Sequence, residues 1–154
     1  MHTELLSRGS ARERKSARIL IVEDNPVIRD LMRGIMRHDA DLIVVGEAAN
    51  GENAIDLAEK LRPDLICLDV LLPGLDGMAI LRALRAVHPE MRVVLLTGQA
   101  TSSIVSEALA LGAAGIVVKP FNAARLISSV RSALAAPAPK GPREAARPTD
   151  TEAA

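Results

Sequence analysis

The feature that most constrains this chain is a repeated alternation. A short β-branched apolar run is followed by a stretch with apolar residues at helical spacing, five times over. Ile19-Leu20-Ile21-Val22 is the first run, and it ends on Glu23 and Asp24. A run with no polar alternation reads as a strand buried on both faces. From Pro26 to about His38, Val27, Ile28, Leu31, Met32, Ile35 and Met36 keep a helical period. Asn25 suits the N-cap and Pro26 the first helical position. The pattern then predicts a strand over 42–48 and a helix over 51–61, with Asn50 placed to cap it and Pro63 beyond its end. Residues 65–68 form the third strand, ending at Asp69. The loop Pro73-Gly74-Leu75-Asp76-Gly77 leads into a helix over 78–87 that Pro89 stops. The fourth strand is 92–96, ending at Thr97, and its helix is 101–111, with Gly112 as C-cap. The fifth strand is 116–118, ending at Lys119. Asn122 caps the last helix, 123 to about 135.

Five strand–helix units in this order imply an open parallel sheet with helices on both faces, an α/β three-layer sandwich. With 49% hydrophobic residues the chain can fill such a core. Phe121 is the only aromatic, so the core is aliphatic and there are no stacking platforms for single-stranded nucleic acid. Nineteen basic and nineteen acidic residues balance. That removes any general pull towards nucleic acid or an anionic membrane. Cys67 stands alone inside an apolar strand, so no internal disulfide forms and the thiol is expected to be buried and structural. No apolar stretch approaches the ~20 residues of a bilayer span, and the first residues lack a signal-peptide apolar region. The expected location is the cytoplasm. Residues 1–17, with a basic cluster at Arg12, Arg14, Lys15 and Arg18, read as a flexible arm, and 137–154 as a disordered Pro/Ala-rich tail. The folded domain is expected over 18–136, followed by no DNA-binding or catalytic module. His2, His38 and His88 show no metal or phosphotransfer spacing and are expected in solvent.

In open α/β sheets the functional site lies beyond the carboxyl ends of the strands. That edge collects Glu23, Asp24, Asp69, Thr97 and Lys119. Three carboxylates together repel; at 4 Å and an effective dielectric of 20, each pair costs about 4 kcal/mol. A hard divalent cation such as Mg²⁺ would supply the counter-charge and can share a phosphate oxygen. Asp69 could then act as a carboxylate nucleophile on phosphorus. Lys119 would neutralise the transferring group and Thr97 would donate a hydrogen bond to it.

These residues stand within Val22-Glu23-Asp24, LDVLLPGLDGM around Asp69, Leu96-Thr97-Gly98, and Val118-Lys119-Pro120-Phe121. In that order and at those strand ends, the chain resembles the receiver domain of bacterial two-component response regulators. It is most similar to single-domain, chemotaxis-type (CheY-like) members, over about residues 17 to 136. The resemblance implies a flavodoxin-like, doubly wound (βα)5 fold and a phosphorylation switch that is not an enzyme. Asp69 would be the phosphoacceptor. Asp24 would bind Mg²⁺ directly, Glu23 mostly through water, and Leu71 through its backbone carbonyl. Thr97 would be the switch hydroxyl, Lys119 the phosphate-binding amine, and the bond before Pro120 would be cis. A sensor histidine kinase or a histidine phosphotransfer protein would be the phosphoryl partner, with a downstream protein as target. The output face would be the fourth helix, fifth strand and fifth helix. There Ala108, Ala110, Ala113, Ala114 and Ile116 predict a smooth surface suited to a homodimer or to helix docking.

One position departs from the family. Three residues before the lysine, where Tyr or Phe is usual, stands Ile116. That motivates a rival reading, a phosphate-independent adaptor on the same fold. A third reading, a phosphatase with an aspartyl-phosphate intermediate, needs a general acid two residues after the nucleophile. Leu71 at that position cannot transfer protons.

Overall fold

The computed structural model describes residues 16–72 and 76–137. Residues 1–15 of the expected arm, most of the tail, and the Pro73, Gly74 and Leu75 part of the loop lie outside the described residues; the arm's expected end at 17 is too late, since Ala17 already pairs in the first strand. Five strands alternate with five helices. They are β1 (Ala17–Val22), α1 (Pro26–Arg37), β2 (Leu42–Ala48), α2 (Gly51–Leu61), β3 (Leu65–Asp69), α3 (Gly77–Val87), β4 (Arg92–Thr97), α4 (Ser102–Ala110), β5 (Gly115–Val118) and α5 (Ala123–Ala135). All pair in parallel in the order β2-β1-β3-β4-β5.

The strands read as continuous apolar runs because both faces of the sheet are covered. Alternate residues feed two cores. Ile19, Ile21, Leu65, Cys67, Val94, Leu96 and Val117 point to the face that holds Met32 and Met36 of α1 and Leu126, Val130 and Ala133 of α5. Leu20, Val22, Ile66, Leu68, Val93 and Leu95 point to the other, against Ala54 and Ala58 of α2, Ile80, Leu81 and Leu84 of α3, and Ala108 of α4. Burying each large aliphatic side chain contributes about 1.5–3 kcal/mol.

Local chemistry sets the helix starts. Asn25, Asn50, Asp76, Thr101 and Asn122 each accept backbone N–H bonds at an N-cap. Gly112, after α4, takes φ +91°, a conformation open to glycine. Gly77 is required for a different reason. Its N–H donates to the Val70 carbonyl at 2.7 Å, and a Cβ there would collide with the Val70 backbone. This close approach folds the chain after Asp69 back over the end of β3.

Two expectations need correction. Ala108 and Ala113 do not pave the α4–β5–α5 face: both are buried in the core, because they are the residues α4 and its exit turn direct at the sheet. Leu109 and Val118 are the exposed large apolar side chains of α4 and β5. His38 is exposed as expected, but His88 is half-buried, with its Nε2 shielded where the chain turns from α3 into β4.

Candidate functional site

Chain order reverses between β1 and β3, which pair in the middle of the sheet. The C-terminal ends of these strands therefore open the crevice where α/β proteins bind ligands. Asp69, the last residue of β3, is 4% exposed, and Glu23, one residue past β1, is 1% exposed. Asp24 beside it is exposed. One oxygen from each of the three carboxylates lies within 4.8 Å of the others.

Lys119 leaves β5 and reaches across to this cluster. Its Nζ donates to Glu23 Oε1 at 2.9 Å and to Asp69 Oδ2 at 3.0 Å. The lysine is placed by its own N–H, which donates to the Thr97 carbonyl at 2.8 Å, and the Lys119–Pro120 bond that follows is cis. Burial pushes the Glu23 carboxyl up; Lys119 and the Asn25 N–H (3.1 Å) oppose this, and the net shift is upward. Burial alone would lower the Lys119 ammonium. Its bonds to Glu23 and Asp69 outweigh that and hold it above its usual value. The second Asp69 oxygen accepts from the Leu71 N–H at 3.2 Å.

Thr97 ends β4 and is 3% exposed. Its hydroxyl donates to the Gln99 carbonyl at 2.9 Å and accepts from the Gln99 N–H at 3.0 Å. Ile116 is half-buried and packs against the α2–α3–α4 core. Leu71 is 74% exposed, in the loop over the site.

Among the described residues the cluster thus carries three acids against one ammonium. Hard, anionic oxygens in this number suit a divalent cation such as Mg²⁺. The sequence-chosen residues Glu23, Asp24, Asp69 and Lys119 do meet, and Thr97 ends the neighbouring strand. Sequence reasoning missed Arg29, Glu47 and Gln99. Arg29 donates from Nη1 to the Glu23 carbonyl at 2.7 Å, and Glu47 lies 3.3 Å from its Nε.

The chain matches the model of the response regulator receiver domain over residues 19–131. It belongs to that family. It is 39% identical over 113 residues to Protein CcdB of Bacillus subtilis, covering 73% of this chain and 93% of that one. To the chemotaxis protein CheY of Listeria monocytogenes it is 32% identical over 116 residues, 75% of this chain and 97% of that one. The crystal structure of a two-component response regulator, LuxR family, from Aurantimonas sp. SI85-9A1 superposes with a TM-score of 0.75 at 28% identity. That match covers 90% of this chain and 99% of the other. The receiver domain is a signalling domain of two-component systems, and this one has the flavodoxin-like CheY fold, with five parallel strands in the order 2-1-3-4-5. Among its described residues no helix is long and apolar enough to cross a membrane.

Proposed function

We propose that this receiver domain is a phosphorylation switch of a phosphorelay. It takes a phosphoryl group on Asp69 from the phosphohistidine of a histidine kinase or phosphotransfer protein, and signals by contact with a downstream protein. The observation that supports this reading is the buried Asp69 carboxylate, within 3.0 Å of Lys119 and inside a three-acid cluster.

An Asp69 oxygen attacks phosphorus, an acyl phosphate O–P bond forms, and the P–N bond to the donor imidazole breaks; that nitrogen takes the bonding pair, and the ring leaves as neutral imidazole with the proton already on its other nitrogen. Glu23, Asp24 and Asp69 would hold Mg²⁺, joined by the Leu71 carbonyl as in the family. When bound, the ion supplies positive charge to the phosphoryl oxygens. Lys119 turns its ammonium from the two carboxylates to a phosphoryl oxygen. The Thr97 hydroxyl exchanges its Gln99 acceptor for another, which releases the β4–α4 loop from its resting geometry. The two loop arrangements are the two states; shifting them from 1:99 to 99:1 takes about 5.5 kcal/mol of preference. With Ile116 packed on the core, no aromatic ring follows the threonine inward. The movement is carried by the loop and α4. The partner-facing surface is α4, β5 and α5, where Leu109 and Val118 are exposed and a homodimer or a target helix could pack. The working location is the cytoplasm.

The test is intact mass after treatment with acetyl phosphate, with and without Mg²⁺. Wild type gains one phosphoryl group only with metal, and Asp69→Asn gains none. No gain under conditions that load a control receiver overturns the reading. The Ile116 packing favours the adaptor as second reading; it requires equal partner affinity with and without phosphate on Asp69.

A further inference from the structure

Asp24 is the exposed member of the acidic cluster, and among the described residues its carboxylate has no hydrogen-bond or ion-pair partner. Glu23, by contrast, is held by Lys119 and the Asn25 N–H, and Asp69 by Lys119 and the Leu71 N–H. The direction of the Asp24 side chain therefore depends on its backbone. Both peptide planes that flank its Cα end in carbonyls that face Arg29. Nη1 donates to the Glu23 carbonyl at 2.7 Å and reaches the Asp24 carbonyl at 3.5 Å.

Arg29 is itself steered. Its Nε lies 3.3 Å from Glu47 Oε1, on the edge strand β2. The other Glu47 oxygen sits 3.3 Å from Arg33, one turn further along α1, and Arg33 also pairs with Asp30. Glu47 pairs in register with Ile21, and the next residue, Ala48, accepts the Glu23 N–H at 3.0 Å. The β1–α1 turn is thus fixed from both sides, by the β2 ladder through the Glu23 N–H and by Arg29 through the Glu23 and Asp24 carbonyls.

We infer that Arg29, oriented by Glu47, is a positioning residue for the cation site, holding the Glu23–Asp24 backbone so that the unpartnered Asp24 carboxylate faces the other two acids. This rests on the proposed metal-dependent reading of the site. Charge and positioning act on the metal in opposite directions. Arg29 is a cation close to a cation site, so by charge alone its removal would tighten metal binding. Positioning predicts the reverse.

The full-length protein and its Arg29→Met, Arg29→Lys and Glu47→Gln variants are titrated with MgCl₂, following the amide resonances of Asp24, Asn25 and Asp69. The chain has no Trp or Tyr to report by fluorescence. Melting of the metal-free proteins is followed in parallel. Arg29→Met weakens Mg²⁺ binding about tenfold and Glu47→Gln about threefold, in the range of ligand-orienting partners. Arg29→Lys falls between wild type and Arg29→Met, while metal-free melting temperatures change little. Unchanged or tighter binding in Arg29→Met overturns the inference, as does a loss of affinity that only tracks a loss of fold. If Arg29→Met does not fold, Glu47→Gln, which keeps the arginine, decides. A wild type that fails to bind Mg²⁺ removes this inference together with the phosphoacceptor reading; a wild type that binds, with variants that match it, removes the positioning role alone.

Discussion

Replacing Lys119 by Met removes the one ammonium that, among the described residues, touches the acids, and keeps the length of the side chain. In the metal-free protein, carboxylates within 4.8 Å repel by about 3.5 kcal/mol per pair at an effective dielectric of 20. Each Lys119 contact at about 3 Å returns roughly 5.5 kcal/mol on the same scale. The two contacts therefore offset the three repulsions almost completely. Removing one partner of a buried pair costs about 3–5 kcal/mol. Because the Lys119 side chain is 21% exposed, the lower end applies, about 3 kcal/mol at pH 7.5. For a domain of this size that lowers the melting temperature by about 10 °C.

The loss should depend on pH, and the sign follows from Glu23. Burial already holds its folded-state pKa above the ordinary carboxylate value, and losing Lys119 raises it further. A carboxyl raised on folding keeps its proton where the unfolded chain has lost it. Stability therefore falls as pH climbs from the unfolded value through the folded one. The variant should regain much of its deficit near pH 5, and also on adding Mg²⁺ at pH 7.5. Thermal melts at both pH values, with and without 10-fold graded Mg²⁺, read the effect. An equal deficit at pH 5 and 7.5 in the metal-free protein would refute the account, since it would mean Lys119 acts by packing rather than by charge.

Four further outcomes follow from the same geometry. Asp69→Asn removes one acid from two repulsive pairs and one lysine contact, so the metal-free protein gains about 1 kcal/mol in urea unfolding while phosphoryl uptake is lost. Thr97→Ala still loads phosphate but loses about 1 kcal/mol, and amide exchange at Gln99 accelerates because that N–H loses its acceptor. Gly77→Ala forces a methyl against the Val70 backbone and costs about 3 kcal/mol by denaturant titration; a neutral result would show that the loop after Asp69 yields. Cys67, fully buried with its thiol pushed up to about 12, stays unalkylated by iodoacetamide at pH 8 until the protein unfolds.

What could be read from sequence divides by the range over which the residues act. The strands were legible because both faces are covered, so Ile19-Leu20-Ile21-Val22 and Leu65-Ile66-Cys67-Leu68 carry no polar interruption. The caps were legible because Asn25, Asp76 and Asn122 act within three residues of themselves. The meeting of Glu23, Asp24, Asp69 and Lys119 was legible although 96 residues separate its ends, since parallel strands in one sheet deliver their carboxyl ends to one edge. Topology carries position, and it needs no knowledge of side-chain direction.

Direction is where the reading ended. Arg29 and Glu47 are charged residues on an amphipathic helix and a half-buried edge strand, where a solvated role is the ordinary expectation. Their contact spans 18 residues, and it depends on β2 lying beside β1 with Glu47 opposite Ile21. Ala108 and Ala113 failed for the same reason: alanine fits a smooth surface or a close helix–sheet contact equally well, and only the packing of α4 decides. The acids of the site announce themselves because chemistry limits which residues can hold a cation or accept a phosphoryl group. The groups that aim those acids are ordinary arginines and glutamates, distinguished only by the neighbour that the fold supplies. A sequence search for such groups should therefore look for charged residues one turn into α1 and at the end of β2, the two places from which a side chain can reach the carbonyls after β1.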